Sequence, residues 1–382
     1  GYGRTVGWLA LGVALAVAAG SQSALLNGMR RIGDIARVSV LSALLSTALG
    51  IAALWLWGEG GVLAFVISTP LASFLLGHLF VSRLPKAAGV PTPLPQLAQQ
   101  WKTMVRLGTA FMVAGLVVGI GQLAVRTMVQ RELGSEALGH FQAAWMISMT
   151  YIGFVLQAMG TDYYPRLTAV IHDREAANRM VNEQTEVGLL LAGPVFLAML
   201  ALAPWVIELL YSSQFAGAVI VLRWQVLGDI LKVASWPLGF IILAAGDGRT
   251  FMLSESLVIV VFASLTWVGL PMMGVEATGV AFVGMYLVHL PMMFLLAKRR
   301  TGFAWESNVV KQLVIVLVSA SAVFLGASWS TPFGAGLGMF SAMVLGVHGL
   351  ARLDRMATLG GLLGRAAALS RSIMTRVGFW RD

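Results

Sequence analysis

The chain has 382 residues, of which 58% are hydrophobic and only 11% charged, too few charges for a water-soluble domain, in which about 25% is usual. It contains no cysteine, which excludes disulfides, thiolate metal sites and cysteine nucleophiles. The net charge of +9 comes from basic residues that flank apolar segments, so it indicates membrane orientation and not a nucleic-acid partner.

Long apolar segments recur along the whole chain and predict membrane-spanning helices. Each contains about 20 residues, enough to cross ~30 Å of hydrocarbon as a helix. They are too long for the strands of a membrane barrel, which are segments of about 10 residues with alternating polarity. The sequence therefore predicts an all-α polytopic membrane protein with eleven spans, at about 6–28, 38–57, 61–82, 104–127, 138–160, 186–210, 217–244, 251–272, 275–297, 309–328 and 332–349.

Two connections between the predicted spans are long. The first, 83–103, contains four prolines and predicts a linker between two helical bundles. The second, 161–185, is polar and permits a helix after Pro165, so it predicts an amphipathic helix on the membrane surface. The basic tail from Ala351 onward also carries apolar residues, and it is either an interfacial helix or an ordinary tail that fixes the topology.

The basic residues segregate to one side of the membrane when the eleven spans are counted. Of the 26 Lys and Arg residues, 21 lie on the side that carries the C-terminus, and only Arg4 and Arg131 lie in loops on the other side. Because loops rich in Lys and Arg stay in the cytoplasm, residue 1 is predicted outside and the C-terminus inside. A miscounted helix would have mixed the two sides, so the segregation also supports the number of spans.

Sequence motifs of enzymes and of metal sites are absent from the chain. There is no His-Glu-x-x-His, Walker loop, Asp-x-Asp or Gly-x-Ser-x-Gly sequence, so neither an enzyme nor a cofactor is predicted. The five histidines are scattered along the chain. His289 lies within a span and is either a titrating group or a hydrogen-bonded residue of the packed interior.

The span 217–244 holds the densest set of polar residues within any predicted span. Gln225, Asp229, Lys232 and Trp236 are spaced four, three and four residues apart, so they share one helical face. A charge at the bilayer centre costs about 2.5–3.5 kcal/mol, so it usually faces a cavity or a partner. The stripe predicts a cavity wall that binds phosphate or sugar hydroxyls, with Asp229 exchanging a proton. The alternative is a self-neutralised pair of Asp229 and Lys232 that holds helices together.

Further polar residues within spans are candidates for binding substrate or a coupling ion. Gln122 and Arg126 lie four residues apart on one face of a helix, and Arg126 either faces the substrate or reaches the headgroups. Arg223 lies near the external end of its span, points away from the stripe and is a further candidate for binding phosphate. Glu255 is, with Asp229, a candidate for ion coupling; the alternative for Glu255 is a solvated helix end.

Three aromatic residues of the span 138–160 are also candidates. Trp145, Tyr151 and Phe154 present flat apolar rings that can stack on sugar faces. The alternative is that these rings pack between helices or anchor the chain at the membrane interface.

Three stretches resemble the polysaccharide transporter family, the O-antigen flippases of the multidrug/oligosaccharidyl-lipid/polysaccharide exporter superfamily. They are ELGSEALGHFQAA (132–144), YYPRL (163–167) and LRWQVLGDILKVASWPLG (222–239). The third is similar to helix ten of that family, and the resemblance extends diffusely over nearly the whole chain.

The resemblance implies a two-bundle flippase fold of two six-helix bundles with additional helices. It divides the chain into the remainder of the first bundle (1–82), a cytoplasmic linker (83–103), the second bundle (104–297), two additional spans (298–349) and a basic cytoplasmic tail (350–382). The stretch 132–144 resembles the link between helices seven and eight, so only three spans precede helix seven. The family's first three helices are therefore expected to be missing, with about 11 helices present of an expected 14.

The implied function is the flipping of undecaprenyl-pyrophosphate-linked oligosaccharide repeat units across a bacterial inner membrane by alternating access, for O-antigen or a related polysaccharide. The implied partners are this lipid-linked oligosaccharide and the bilayer, with a glycan polymerase and chain-length proteins beside them. Three alternatives stay open: an ion-coupled exporter of drugs or small solutes, a membrane-embedded polysaccharide polymerase or ligase, and a non-transporting scaffold. A cationic cavity favours the flippase and a carboxylate-dominated one the exporter, whereas a polymerase needs a large external loop.

Overall fold

The computed structural model of the protein describes residues 2–29, 31–84 and 93–355. In these ranges the α-helices are α1 (Tyr2–Gly28), α2 (Ile32–Trp57), α3 (Val62–Ser82), α4 (Leu94–Val170), α5 (Arg174–Leu210), α6 (Ala218–Ala244), α7 (Gly248–Met273), α8 (Glu276–Thr301), α9 (Ser307–Trp329) and α10 (Thr331–Arg355). Short 3-10 helices at Gly58–Gly61 and Ser213–Phe215 precede α3 and α6. No β-strand occurs in the described ranges.

Nine helical stretches among the described residues are long and apolar enough to cross a membrane. Two of them, Ile32–Ser82 and Phe111–Gln157, contain 51 and 47 residues, or roughly 75 and 70 Å of straight helix, against ~30 Å of hydrocarbon. Gly58, at φ +53°, interrupts the first, and Gly134, at φ +85°, interrupts the second. Each stretch therefore holds two of the predicted spans, and the prediction of an all-α polytopic membrane protein is confirmed.

The predicted surface helix at 161–185 is wrong, because this range forms the ends of two long helices. Helix α4 continues to Val170, and α5 begins at Arg174 after a short turn. Leu167 of α4 and Val181 of α5 are fully buried in a cluster with apolar side chains of α6 and α8. Leu167 and Val181 are thus covered by neighbouring helices of the same chain, and the range does not form a separate surface helix.

The predicted linker and C-terminal tail are described only in part, since 85–92 and 356–382 lie outside the described residues. Helix α4 begins at Leu94, inside the range predicted as linker, and α10 continues to Arg355, inside the range predicted as tail. The choice between an interfacial helix and an ordinary basic tail stays a prediction.

Helices α1 to α3 belong to one unit of the chain, Gly1–Pro93, and approach one another at small residues. The hydroxyl of Ser68 in α3 donates a hydrogen bond to the backbone oxygen of Ser46 in α2, at 3.1 Å. A Cβ atom added to Gly77 would lie 2.3 Å from the side-chain oxygen of Gln22 in α1. Small residues that allow such close approach are typical of helix packing in membranes.

Helices α4 to α10 belong to the second unit, Leu94–Asp382, and α6 lies at its centre. Helices α4, α5, α7, α8 and α9 all contact α6, and 72% of its most apolar stretch is buried. The contact with α8 is close, since a Cβ atom on Gly228 would lie 2.5 Å from the Phe282 ring and one on Gly279 2.6 Å from Trp224. The polar side chains of α6 therefore face other helices of this unit.

Candidate functional site

Lys232 lies at the middle of α6 and lines a half-open cavity between α4, α6, α7 and α8. Its Nζ atom is 3.6 Å from the sulfur of Met149 in α4 and 6.0 Å from the centre of the Tyr286 ring in α8. The cavity has a volume of about 150 Å³, and Gln122 and Glu255 line it beside Lys232. We call it the lysine cavity. The remaining lining side chains are apolar or aromatic and include Trp145, Phe262 and Phe282.

Asp229 is fully buried one turn from Lys232, and its carboxylate is turned toward α4. Its Oδ2 atom accepts hydrogen bonds from the hydroxyls of Ser148, at 2.7 Å, and Tyr151, at 2.6 Å. The two described side chains Asp229 and Lys232 form no ion pair with each other. The two charges still interact electrostatically across one helical turn, and the ammonium group of Lys232 lies on the cavity.

A second cavity lies beside the first, and Glu255 lines both. Its volume is about 600 Å³, and five of its eleven lining residues are Phe, Tyr or Trp of α4, α6 and α7. We call it the aromatic chamber. The aromatic lining residues are Phe111, Tyr164, Trp236, Phe240 and Phe251.

A chain of polar groups joins the chamber to the lysine cavity. The Ser235 hydroxyl donates to the backbone oxygen of Lys232, at 3.0 Å, and lies 3.1 Å from Nδ1 of His289. Since the hydroxyl proton is already donated, Ser235 accepts from the Nδ1–H group. The Nε2 atom of His289 then faces Oε1 of Glu255, 3.9 Å away. This arrangement gives His289 a hydrogen-bonded position and sets a carboxylate beside it.

Helices α6 and α8, which carry Ser235 and His289, each contain a proline at the chamber. Pro237 lies inside α6 directly after Trp236, and Pro291 lies inside α8 two residues after His289. The hydroxyl of Tyr163 donates to the backbone oxygen of Pro237, at 2.9 Å. A proline within a helix lacks the N–H that would bond the carbonyl one turn earlier, so each helix lacks one backbone hydrogen bond here.

The polar stripe that the sequence predicted on α6 is divided among different environments. Lys232 lines the lysine cavity and Trp236 lines the aromatic chamber. Asp229 and Gln225 are fully buried and line neither. Both amide atoms of Gln225 lack a hydrogen-bond partner among the described residues. One helical face therefore does not form one cavity wall.

The other predicted binding residues lie at different distances from the cavity. Gln122 lines it, whereas Arg126, one turn further along α4, is half-buried and is not part of its wall. Arg223 is buried, and its guanidinium donates to the backbone oxygen of Ala327 in α9, at 3.4 Å. Arg223 therefore points toward the C-terminal end of α9 and away from Lys232.

The structure also brings in residues that the sequence did not single out, notably Ser148, Met149 and Tyr286. Ser148 and Tyr151 are three residues apart in α4, a spacing that could have suggested a shared partner. Tyr151, considered for sugar stacking, instead binds Asp229 through its hydroxyl. Phe154 is 72% exposed, so it faces neither cavity.

Comparisons with known proteins agree with the all-helical membrane fold. The family model described as "Polysaccharide biosynthesis protein" matches residues 3–220. The lipid III flippases of Escherichia coli (strain K12) and Shigella flexneri are each 23% identical to the chain over 261 residues, which is 63% of this chain and 62% of the relative. The chain thus spans about 62% of the length of these curated relatives.

Solved structures of transporters share the fold. The lipid II flippase MurJ in an inward closed conformation matches with a TM-score of 0.63 at 12% identity, covering 90% of this chain and 73% of that chain. A MATE crystal structure in complex with MaL6 matches with a TM-score of 0.66 at 15% identity, covering 78% of this chain and 69% of that chain. A MOP superfamily transporter from Pyrococcus furiosus matches with a TM-score of 0.57 at 15% identity, covering 78% of this chain and 77% of that chain. The predicted resemblance to this superfamily is confirmed at the level of fold.

Proposed function

This chain belongs to the polysaccharide biosynthesis protein family, and we propose that the protein flips lipid-linked oligosaccharide repeat units across a membrane. The family model covers 3–220, more than half of the 382 residues. The named relatives are flippases of lipid III, and a structural neighbour is a flippase of lipid II. We propose undecaprenyl-pyrophosphate-linked oligosaccharide as the cargo, for O-antigen or a related surface polysaccharide, moved by transport and not by catalysis.

The position of Lys232 is the observation that carries this proposal. A pyrophosphate cannot cross ~30 Å of hydrocarbon unaided, so its carrier needs a cation inside the membrane. Among the described residues the ammonium group of Lys232 contacts a thioether and a tyrosine ring and forms no ion pair, and the carboxylates of Asp229 and Glu255 act on it only from a longer distance. It can therefore form charge-assisted hydrogen bonds with a phosphate that enters the lysine cavity.

The surrounding polar residues supply the other proposed roles. Gln122 would bind a phosphate or sugar oxygen in the cavity, and Arg126 would meet the substrate one turn closer to the break in α4 at Gly134. Glu255, 3.9 Å from the imidazole of His289, is our candidate for binding a coupling ion, together with Asp229. An ion bound to these carboxylates would alter the field at Lys232 and so the affinity for phosphate.

Orientation follows from the basic residues. We propose a bacterial inner membrane with the C-terminus in the cytoplasm, because 21 of the 26 Lys and Arg residues fall on that side. The cargo would then move from the cytoplasmic to the outer leaflet, by alternating access. A glycan polymerase and chain-length proteins are the proposed acceptors of the product.

A second candidate function is the ion-coupled export of organic cations or other small solutes. It is favoured by one observation, the carboxylate of Glu255 on the wall of the aromatic chamber. Aromatic faces and a carboxylate together attract a desolvated cation. The two functions differ in the charge of the cargo that the cavities select.

The test uses the full reading frame that encodes this chain, deleted from its host and restored on a plasmid. We expect deletion to accumulate lipid-linked oligosaccharide and to remove surface glycan. Lys232→Ala should lower surface glycan by roughly 10- to 100-fold, since a hydrogen bond to a charged group contributes about 1.5–3 kcal/mol. Lys232→Arg keeps the charge and should retain most of the activity.

Lys311→Ala is the matched control, because Lys311 lies exposed in the first turns of α9, and it should leave surface glycan unchanged. Protein level in the membrane is measured for every variant. Normal surface glycan in the deletion strain would refute the flippase function. A parallel fall of glycan and protein level in Lys232→Ala would assign the lysine a structural role.

A further inference from the structure

The aromatic chamber is about four times as large as the lysine cavity, at about 600 against 150 Å³. A volume between about 300 and 1,000 Å³ is typical of sites that enclose a small molecule. The binding of a phosphate at Lys232 leaves this space unused. The chamber therefore has room for a second part of the substrate or for a separate ligand.

The charge on the chamber wall disfavours a phosphate there, because Glu255 lines the chamber without the lysine that accompanies it in the lysine cavity. Among the described lining residues the ionisable side chains are Glu255, His289 and Tyr164, and no lysine or arginine is present. Glu255 would repel a phosphate or a carboxylate entering the chamber. An uncharged or basic group is accepted in its place.

Aromatic rings from three helices line the chamber, and neighbouring rings are tilted by 55° to 60° against each other. Trp236 and Phe240 in α6 have ring centres 4.4 Å apart, and Tyr164 in α4 lies 5.4 Å from Phe240. Phe111 and Phe251, from α4 and α7, form a second pair at 5.3 Å. Such surfaces bury the C–H faces of a sugar ring while a few polar groups bind its hydroxyls. Glu255, His289 and Ser235 are the polar groups available.

The two cavities are also spaced as the parts of one substrate are. Glu255 lines both, so no helix separates them. Lys232 and Trp236 are one turn apart on α6, or ~6 Å along its axis, comparable with the short distance between a pyrophosphate and the sugar attached to it. The chamber lies toward Ala244, the end of α6 that the basic residues predict to be cytoplasmic.

We propose that the aromatic chamber binds the sugar units next to the pyrophosphate and selects neutral or amino sugars over acidic ones. This inference rests on the proposed flippase function. Lys232 holds the phosphate, the rings hold the first sugars, and Glu255 at the junction rejects a sugar that carries a carboxylate. Specificity for the glycan thus arises on the cytoplasmic side of the lysine.

Binding of two defined lipids to the full-length protein in lipid nanodiscs tests the proposal. The probes are undecaprenyl pyrophosphate and the same lipid carrying N-acetylglucosamine. The wild-type protein should bind the sugar-bearing lipid more tightly. Phe240→Leu should lower the affinity for the sugar-bearing lipid by roughly 3- to 10-fold, the usual contribution of one ring contact. The affinity for undecaprenyl pyrophosphate without the sugar should stay unchanged. Lys232→Ala should lower the affinity for both lipids by the same factor.

Phe294→Leu is the matched control for packing. Phe294 belongs to the same apolar cluster as Phe240 but packs on Phe303 and Trp305 and does not line the chamber. It should lower thermal stability about as much as Phe240→Leu without changing either affinity. Trp236→Phe, which keeps a ring in place, should retain most of the preference for the sugar-bearing lipid.

The outcomes separate the two levels of inference. An unchanged preference for the sugar-bearing lipid in Phe240→Leu would overturn the chamber as the sugar subsite while leaving the flippase function intact. Failure of the wild-type protein to bind either lipid, with normal glycan in the deletion strain, would overturn both. Tight binding of tetraphenylphosphonium that Glu255→Gln abolishes would assign the chamber to organic cations and also overturn the proposal.

Discussion

At the scale of single residues, the surroundings of Asp229 determine what Lys232 can do. A buried carboxylate needs hydrogen-bond donors, because burial without them is strongly unfavourable. Ser148 and Tyr151 supply them from α4 to the Oδ2 atom, whereas the buried Oδ1 atom has no hydrogen-bond partner among the described residues. The ammonium group one turn away is left facing the lysine cavity.

Removal of one donor should therefore weaken the fold. We expect Tyr151→Phe to lower the free energy of unfolding of the detergent-solubilised protein by about 1.5–3 kcal/mol, the contribution of a hydrogen bond to a charged group. The measurement is chemical unfolding followed by tryptophan fluorescence. Tyr211→Phe is the control, because Tyr211 is 41% exposed, and its effect should stay within about 0.5 kcal/mol. Equal effects of the two changes would contradict this role of the Tyr151 hydroxyl.

Helical spacing predicted that Lys232 and Trp236 share a face of α6, but not which residues surround each side chain. Ser148 and Asp229 are 81 residues apart in the chain, and periodicity within one helix carries no information about a partner in another. For the same reason Phe154 was a candidate by residue type alone, although its ring lies on the outer surface. The type of residue at the site was predictable, whereas its pairing depended on the tertiary fold.

At the scale of helices, α5 is longer than a membrane crossing. Its 37 residues extend ~55 Å as a helix, so part of it projects beyond ~30 Å of hydrocarbon. Residues 174–185 are polar, so the predicted span begins at 186, whereas the helix itself begins at Arg174. Asn182 in this part binds the connection between α8 and α9, donating to the oxygen of Ala304 at 3.1 Å and accepting from the N–H of Glu306 at 2.9 Å.

Loss of the Asn182 side chain should release this connection. In Asn182→Ala the N–H of Glu306 loses its acceptor, so we expect its hydrogen exchange to accelerate by at least about tenfold, corresponding to about 1.4 kcal/mol of protection. The measurement is hydrogen exchange of the peptide covering 302–310, read by mass spectrometry. Arg174→Ala, at an exposed site of the same helix end, should leave that exchange unchanged. Similar acceleration in both variants would mean that Asn182 does not hold the connection.

At the scale of the whole molecule, the predicted topology can be read at the two ends of one helix. Lys298, Arg299, Arg300 and Lys311 lie around the connection before α9, whereas no lysine or arginine lies near Ser330 at its other end. By the positive-inside rule the first end is cytoplasmic and the second external. Ala304 and Ser330 are both exposed, so each can carry a label.

Labelling is specific because the sequence contains no cysteine. We expect Ser330→Cys to react with a membrane-impermeant maleimide in intact spheroplasts, and Ala304→Cys to react only after permeabilisation. The extent of labelling is measured by a mass shift of the purified protein. The reverse pattern would invert the topology and with it the proposed direction of transport.

The spans were predictable for the whole chain because bilayer thickness imposes one length on every apolar segment. The breaks were also visible in the sequence, since Gly58 and Gly134 lie between predicted spans and adopt positive φ. The two cavities were not predictable, because their walls combine side chains from four helices between Phe111 and Met293. A hydropathy pattern reports that a residue is inside the membrane but not which residues surround it.

The prolines of α6 and α8 give the site a mechanical property. Pro237 and Pro291 each remove one rung of the hydrogen-bond ladder at the depth of the aromatic chamber, while Lys232 lies in the uninterrupted part of α6. Bending stiffness is therefore lowest beside the rings and higher beside the lysine. A load applied to the C-terminal ends of α6 and α8 is absorbed at the chamber, so its walls can flex while the segment of α6 that carries Lys232 stays in register.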